Sequence, residues 1–128
     1  MIRLARPDVQ IIAAEPANAP LLAGGEFKPH MLQGWTPDFV PAVLNRDVPH
    51  QIVPVTDADA IHWARLLATR EGIFCGISGG GTVAAAMQVA DQAPAGSVLL
   101  AILPDTAERY LSTALFAGIE EGSDPEPS

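Results

Sequence analysis

The sequence predicts an α/β fold with a short, mostly parallel sheet flanked by helices, and three observations carry that expectation. Short apolar runs rich in branched residues alternate with segments of helical periodicity. Three consecutive glycines, Gly79, Gly80 and Gly81, stand between an apolar run and an alanine-rich segment, as at a strand-to-helix turn. With 128 residues, 48% of them hydrophobic, the chain has the size and apolar content of one globular unit.

The elements follow in order. Residues 9–14 form an apolar run closed by Glu15-Pro16, which predicts a buried strand. Residues 16–39 read as loop, punctuated by Pro20, Gly24, Gly25, Pro29, Gly34 and Pro37. Residues 51–55 are a second strand candidate, although Pro54 lacks the N–H that a central ladder position needs. Thr56 is a helix N-cap, with Asp57 and Asp59 in the first turn, where carboxylates complement the helix dipole. Ala60, Ile61, Ala64, Leu67 and Ala68 then share roughly a third of the helix circumference at about 100° per residue, so that face packs inward. Gly72 stops the helix. Residues 74–77 are short and apolar, residues 79–81 read as a turn, and residues 82–93 form a helix covered on most sides. Residues 98–103 are a third strand candidate, stopped by Pro104. Residues 120–128 are acidic and carry two prolines, which predicts a disordered tail and leaves residues 1–119 as the folded unit.

Charge and composition exclude several function classes. A net charge of -8, with no run of basic residues, repels phosphate backbones and argues against nucleic acid. Cys75 is the single cysteine, so no internal disulfide forms, and a reducing compartment is the simpler assumption. The N-terminus has charge but no following apolar h-region. No stretch approaches the roughly 18 apolar residues of a spanning helix, so a cytoplasmic, membrane-free chain is expected. His30, His50, His62 and Cys75 lack metal-ligand spacing, and no metal site is expected. Trp35 and Trp63 read as packing residues. Lys28, the only lysine, lies in the loop region without an apolar pocket to shift its pKa.

The segment Gly76-Ile-Ser78-Gly-Gly-Gly81 satisfies several motif templates in part. Gly76, Ser78 and Gly80 match the G-x-S-x-G elbow of hydrolases, in which Ser78 would be a nucleophile. That fold orders its triad with histidine last, whereas all three histidines here precede Ser78. A P-loop needs a lysine before Ser or Thr, and Gly81-Thr82 lacks it. A dinucleotide fingerprint would need glycine at Ser78. The plainest alternative is a tight turn with close helix packing.

Four stretches together resemble one family. Gly72-Ile-Phe-Cys-Gly-Ile-Ser78-Gly-Gly-Gly81-Thr-Val and Leu103-Pro-Asp-Thr-Ala-Glu-Arg-Tyr-Leu-Ser-Thr113 are similar to the C-terminal part of the cysteine synthase family. These are fold type II enzymes that use pyridoxal 5'-phosphate (PLP) and include O-acetylserine sulfhydrylase and cystathionine β-synthase. Gln33-Gly-Trp-Thr-Pro-Asp-Phe-Val-Pro41 resembles the loop beside the family's active site, and Ile11-Ile-Ala-Ala-Glu-Pro16 the strand leading toward it. The resemblance covers residues 3–119, and the second stretch favours the sulfhydrylase branch. It implies that Ser78 hydrogen-bonds the pyridine nitrogen of PLP, donating to an unprotonated nitrogen without forcing a positive charge on the ring. It further implies that Asp105 and Thr106 line the cofactor site, and that Gly34 faces the substrate through its backbone. Gly79 stands where the family often has a second serine. Ala107 replaces the usual glycine before Glu-Arg-Tyr, which matters where that backbone needs a positive φ. Glu108 and Arg109 read as a solvated pair.

The implied reaction is β-replacement on O-acetylserine by sulfide, giving cysteine and acetate. The resemblance places the family's cofactor-binding lysine, its Ser/Thr-Gly-Asn-Thr-Gly substrate loop and its Gly-rich phosphate cradle upstream of the position matching Met1. The chain is therefore expected to start within the helix after that cradle and to be a fragment or one half of a split enzyme. On this expectation it contributes no catalytic residue, is inactive alone, and partners with a complementary N-terminal half or with copies of itself. A binding or interaction module reusing the half-fold is the alternative class.

Overall fold

The computed structural model describes residues 1–119, so the tail expected for residues 120–128 lies outside the described residues. A single helical turn, α1 (Ile2–Ala5), buries nothing. The sheet consists of β1 (Ile12–Pro16) and β2 (Gln51–Val55), which run parallel in the register Ile12 to Gln51 through Pro16 to Val55. Parallel pairing is as expected, but β1 begins later than its apolar run, because the N–H of Val9 turns back to the carbonyl of Arg6 at 3.1 Å. Pro54 is accommodated because β2 has a single neighbour among the described residues, and its carbonyl accepts from the Gln88 side chain at 3.2 Å.

Glu15, at the end of β1, is 1% exposed. Its carboxylate accepts the backbone N–H groups of Leu22 at 2.8 Å and Ala23 at 3.1 Å, which compensates its burial and anchors the following loop. That loop carries Leu32 into the core beside Val53 and Val55.

Helix α2 (Asp57–Leu66) starts at Thr56, whose hydroxyl accepts from the Asp59 N–H at 3.1 Å, as its N-cap identity predicts. Ala60 and Ala64 are its buried positions. The helix widens into a π-type turn over Leu67–Glu71 and ends at Gly72, whose φ of 68° is the left-handed cap that glycine adopts without strain. The Arg65 guanidinium binds three carbonyls of the C-terminal segment, Leu115 at 2.6 Å, Ala117 at 2.9 Å and Ala114 at 3.2 Å.

Two expectations need correction. Helix α3 spans Ile77–Ala90, so Gly79, Gly80 and Gly81 lie inside its first turns and not in a turn before it. Each glycine costs about 1 kcal/mol of helix propensity, but close packing requires them. A Cβ on Gly81 would lie 2.5 Å from Leu32 Cδ2, and one on Gly79 would lie 2.9 Å from Cys75 Cβ. The third strand is also absent, since residues 98–103 run extended without a ladder. Their side chains do alternate as a strand's would. Val98, Leu100 and Ile102 are 95%, 92% and 72% exposed, while Leu103 packs on the core. No strand among the described residues runs beside them to complete the pairing.

Candidate functional site

The start of α3 and the Pro104-Asp105 corner meet through backbone contacts. Cys75 and Thr106 form an isolated antiparallel bridge, the Gly76 N–H donates to the Asp105 carbonyl at 3.3 Å, and the Ala107 N–H to that of Phe74 at 3.1 Å. Gly76 is the N-cap of α3 and Ser78 lies in its first turn, 3% exposed. This clamp places the Ser78 hydroxyl against Asp105, where it donates to Oδ1 at 3.1 Å. The Tyr110 hydroxyl donates to Oδ2 of the same carboxylate. A Cβ on Gly76 would lie 2.5 Å from Asp105 Oδ1 and 2.6 Å from the Tyr110 ring, so the glycine is what lets the three groups close.

The electrostatics follow from that carboxylate. Tyr110 is held above the usual tyrosine range, first because its proton is committed to Asp105, with desolvation and the carboxylate charge adding to it. Burial pushes the Cys75 thiol up and the Asp105 charge adds to that, so Cys75 stays a protonated packing residue, not a nucleophile. Among the described residues no donor reaches Ser78 Oγ, which leaves its lone pairs unused by the protein.

Of the residues singled out in the sequence, Ser78 and Asp105 are in direct contact. Thr106 is held beside them by its backbone, but its side chain is exposed and caps the turn Ala107–Tyr110 by accepting from the Glu108 N–H at 3.4 Å. Gly34 is exposed in a turn with φ 78°. Its neighbours Leu32 and Trp35 abut Gly81, which brings that loop to one helical turn from Ser78. Tyr110 had no role assigned from sequence, although it stands in the same motif as Asp105. The histidines are engaged elsewhere. His50 Nδ1 accepts from the Ile11 N–H at 2.9 Å, His30 Nε2 lies 3.2 Å from the Thr36 carbonyl, and His62 packs edge-on to Trp63. Ser78 therefore has no histidine partner for a hydrolase mechanism. Among the described residues no cluster of three or more metal-ligating side chains occurs, and no helix is long and apolar enough to cross a membrane.

The family described as pyridoxal-phosphate dependent enzyme matches residues 1–105. The chain belongs to this family. It is 56% identical over 124 residues to O-ureido-L-serine synthase of Streptomyces lavendulae, covering 97% of this chain and 38% of that protein. It is 40% identical over 111 residues to a cysteine synthase of Staphylococcus aureus, covering 87% of this chain and 36% of that protein. The crystal structure of an O-ureido-L-serine-bound mutant of O-ureido-L-serine synthase superimposes with a TM-score of 0.92 over 97% of this chain and 39% of the other, at 56% identity. The cysteine synthase of Entamoeba histolytica does so with a TM-score of 0.87 over 95% and 36%, at 32% identity. The α/β architecture is thus that of the C-terminal portion of fold type II PLP enzymes, and the chain spans less than two-fifths of these relatives.

Proposed function

We propose that residues 1–119 form the C-terminal portion of a PLP domain in which Ser78 meets the pyridine nitrogen of the cofactor. In this reading Asp105 and Thr106 flank the ring, and the Gly34 loop offers its backbone to the amino-acid substrate. The observation that carries it is the buried Ser78 hydroxyl, fixed at the first turn of α3 with its oxygen lone pairs unused. A small neutral hydroxyl can turn its one hydrogen from Asp105 to an aromatic nitrogen, so Ser78 fits the group that the family uses.

When bound, PLP supplies the electron sink that lets an amino-acid substrate lose its α-proton and exchange its β-substituent. The chain's own contribution is to bind and orient. Ser78 fixes the ring at its nitrogen edge, Gly76 leaves room for Asp105, and Leu32 and Trp35 hold the substrate loop against α3.

In this reading the reaction is displacement of acetate from the β-carbon of O-acetylserine by sulfide, giving cysteine and acetate. The higher identity to O-ureido-L-serine synthase than to cysteine synthase, 56% against 40%, favours a second reading in which the β-carbon of a serine-derived substrate takes a ureido oxygen. Both readings use the same residues here. In either, this chain acts in the cytoplasm with a complementary N-terminal polypeptide or with copies of itself, and its single lysine, Lys28, lies in a surface depression lined by Ala17, Asn18, Pro20 and Glu26.

The test is Ser78→Ala in a holoenzyme assembled from this chain and the N-terminal portion of O-ureido-L-serine synthase. Turnover should fall by roughly 5- to 150-fold, the equivalent of about 1 to 3 kcal/mol for one hydrogen bond, while the unfolding midpoint changes little. Unchanged turnover with a lowered midpoint would make Ser78 a turn residue only.

A further inference from the structure

We propose that His30 is a positioning residue whose ring latches the turn carrying Gly34, and so fixes the backbone that the amino-acid substrate meets. The inference rests on the reading that this turn faces the substrate. Residues 32–35 form a tight turn, closed by the Trp35 N–H on the Leu32 carbonyl at 3.2 Å, with Gly34 at φ 78°. Both flanks press on α3. Leu32 is buried, and Leu32 Cδ2 and Trp35 Cη2 would stand 2.5 Å and 3.1 Å from a Cβ on Gly81. Gln33 and Gly34 stay exposed, so the tip is open to contact while its base is held.

Two side chains hold that base from either end. At the entry, the Met31 N–H donates to Asp57 Oδ1 at 3.1 Å, which ties the segment to the first turn of α2. At the exit, His30 Nε2 lies 3.2 Å from the Thr36 carbonyl and so spans the turn. A carbonyl carries no hydrogen, so the imidazole is the donor in this contact and Nε2 bears the proton. The Phe27 ring meets the imidazole edge-on, with centroids 6.0 Å apart and planes at 70°.

The other ring nitrogen separates a latch from a packing residue. Nδ1 is buried and has no hydrogen-bond partner among the described residues. A buried acceptor left unpaired weighs against the closed arrangement, so an apolar side chain would fill the same space more favourably. What the imidazole adds is one directed N–H at the reach of Nε2. Without it the turn keeps its closing bond and its packing on α3, but the Thr36 carbonyl is released and the stretch from Gly34 to Thr36 gains freedom.

The first arm of the test uses this chain alone and reads hydrogen exchange at the Trp35 amide. His30→Leu removes the donor, His30→Gln returns an amide N–H at about the reach of Nε2, and His30→Asn carries the same amide one bond short. Exchange should accelerate about 2- to 12-fold in His30→Leu and His30→Asn, the factor that one neutral hydrogen bond is worth, and fall back toward the parent in His30→Gln. Amides of β2 should stay as protected as in the parent. Exchange that is equal in all four proteins, or as fast in His30→Gln as in His30→Asn, overturns the latch. Should His30→Leu also lose protection in β2, the pair of amide variants still decides.

The second arm uses the holoenzyme assembled as above, with O-acetylserine and sulfide. His30→Asn should lower kcat/KM for O-acetylserine by about the same 2- to 12-fold, and His30→Gln should recover most of the loss. The value for sulfide should move less, because a sulfide ion offers the turn little to orient. If exchange at Trp35 responds as expected while kcat/KM for O-acetylserine does not, the latch stands and the reading that this turn meets the substrate fails. An unsubstituted assembly without turnover counts against that same reading and leaves the exchange result to decide the latch.

Discussion

A Cβ placed on Gly80 would stand 2.1 Å from the carbonyl oxygen of Ala60 and 2.7 Å from the Cβ of Ala64. Helices α2 and α3 therefore touch at backbone distance, and this contact sets where the first turn of α3, and with it Ser78, sits over the sheet.

Gly80→Ala is predicted to destabilise the chain. Alanine would gain about 1 kcal/mol of helix propensity, but the atoms in its way are the Ala60 carbonyl oxygen and the nitrogen and Cβ of Ala64, none of which can swing aside. Overpacking of this kind costs about 1 to 3 kcal/mol or more, so the packing loss outweighs the propensity gain. The check is the urea midpoint, which should fall. A midpoint equal to that of the parent would mean that the two helices separate freely.

Arg65→Met should loosen the C-terminal segment before the rest of the fold. The substitution keeps the apolar stem but removes the donors to Ala114, Leu115 and Ala117. Hydrogen bonds from a charged donor are worth about 1.5 to 3 kcal/mol. Hydrogen exchange at the Phe116 and Ala117 amides should therefore accelerate far more than exchange in β2. Equal acceleration at both places would show that the segment unfolds only with the core.

Tyr110 makes stability fall at alkaline pH. Its folded-state titration lies above the unfolded value because its proton is committed to Asp105. A raised pKa contributes stability that is fully present below the unfolded tyrosine value of about 10 and is lost as pH rises through the folded value. The parent should therefore exceed Tyr110→Phe in stability at neutral pH and lose that advantage above about pH 10. Thermal unfolding across that range measures it. A gap that stays constant with pH would show that Asp105 does not hold the tyrosine proton.

The sequence was most legible where local chemistry decides conformation. Thr56 and Gly72 mark the ends of α2 and its continuation, because a cap hydroxyl and a left-handed glycine act within a few residues. It was least legible where a partner elsewhere decides. Gly79, Gly80 and Gly81 look like a turn in isolation, and only Leu32, Ala60 and Cys75 packed against them make them helical. At the candidate site, Ser78 and Asp105 were singled out from motif chemistry, and the structure brings them into contact. Tyr110 was not, because its role arises only when Gly76 lets the ring approach the same carboxylate.

The chain alone is predicted to form no specific covalent adduct with PLP. Lys28 is its only lysine and lines a surface depression with Ala17, Asn18, Pro20 and Glu26, to which Ser78 does not contribute. Mixing with PLP and then borohydride should give no saturable labelling. Stoichiometric trapping at Lys28 would relocate the cofactor site.

The last prediction concerns the open face of residues 98–103. Val98, Leu100 and Ile102 expose most of their surface on one side, and the backbone beside them makes no ladder. Each large side chain left in water forfeits about 1.5 to 3 kcal/mol of burial, which is a sizeable part of a total stability of about 5 to 15 kcal/mol. An unpaired apolar strand is also a template for pairing with another chain. The isolated chain should therefore self-associate with rising concentration in sedimentation velocity. Leu100→Lys should suppress that association without lowering the unfolding midpoint, because Leu100 touches little within the chain. Adding the N-terminal portion of a relative should raise the midpoint of the parent and displace the self-associated form, since both occupants compete for one face. A chain that stays monomeric at high concentration and ignores that polypeptide would instead behave as an independent module, with this face open to water in its working state.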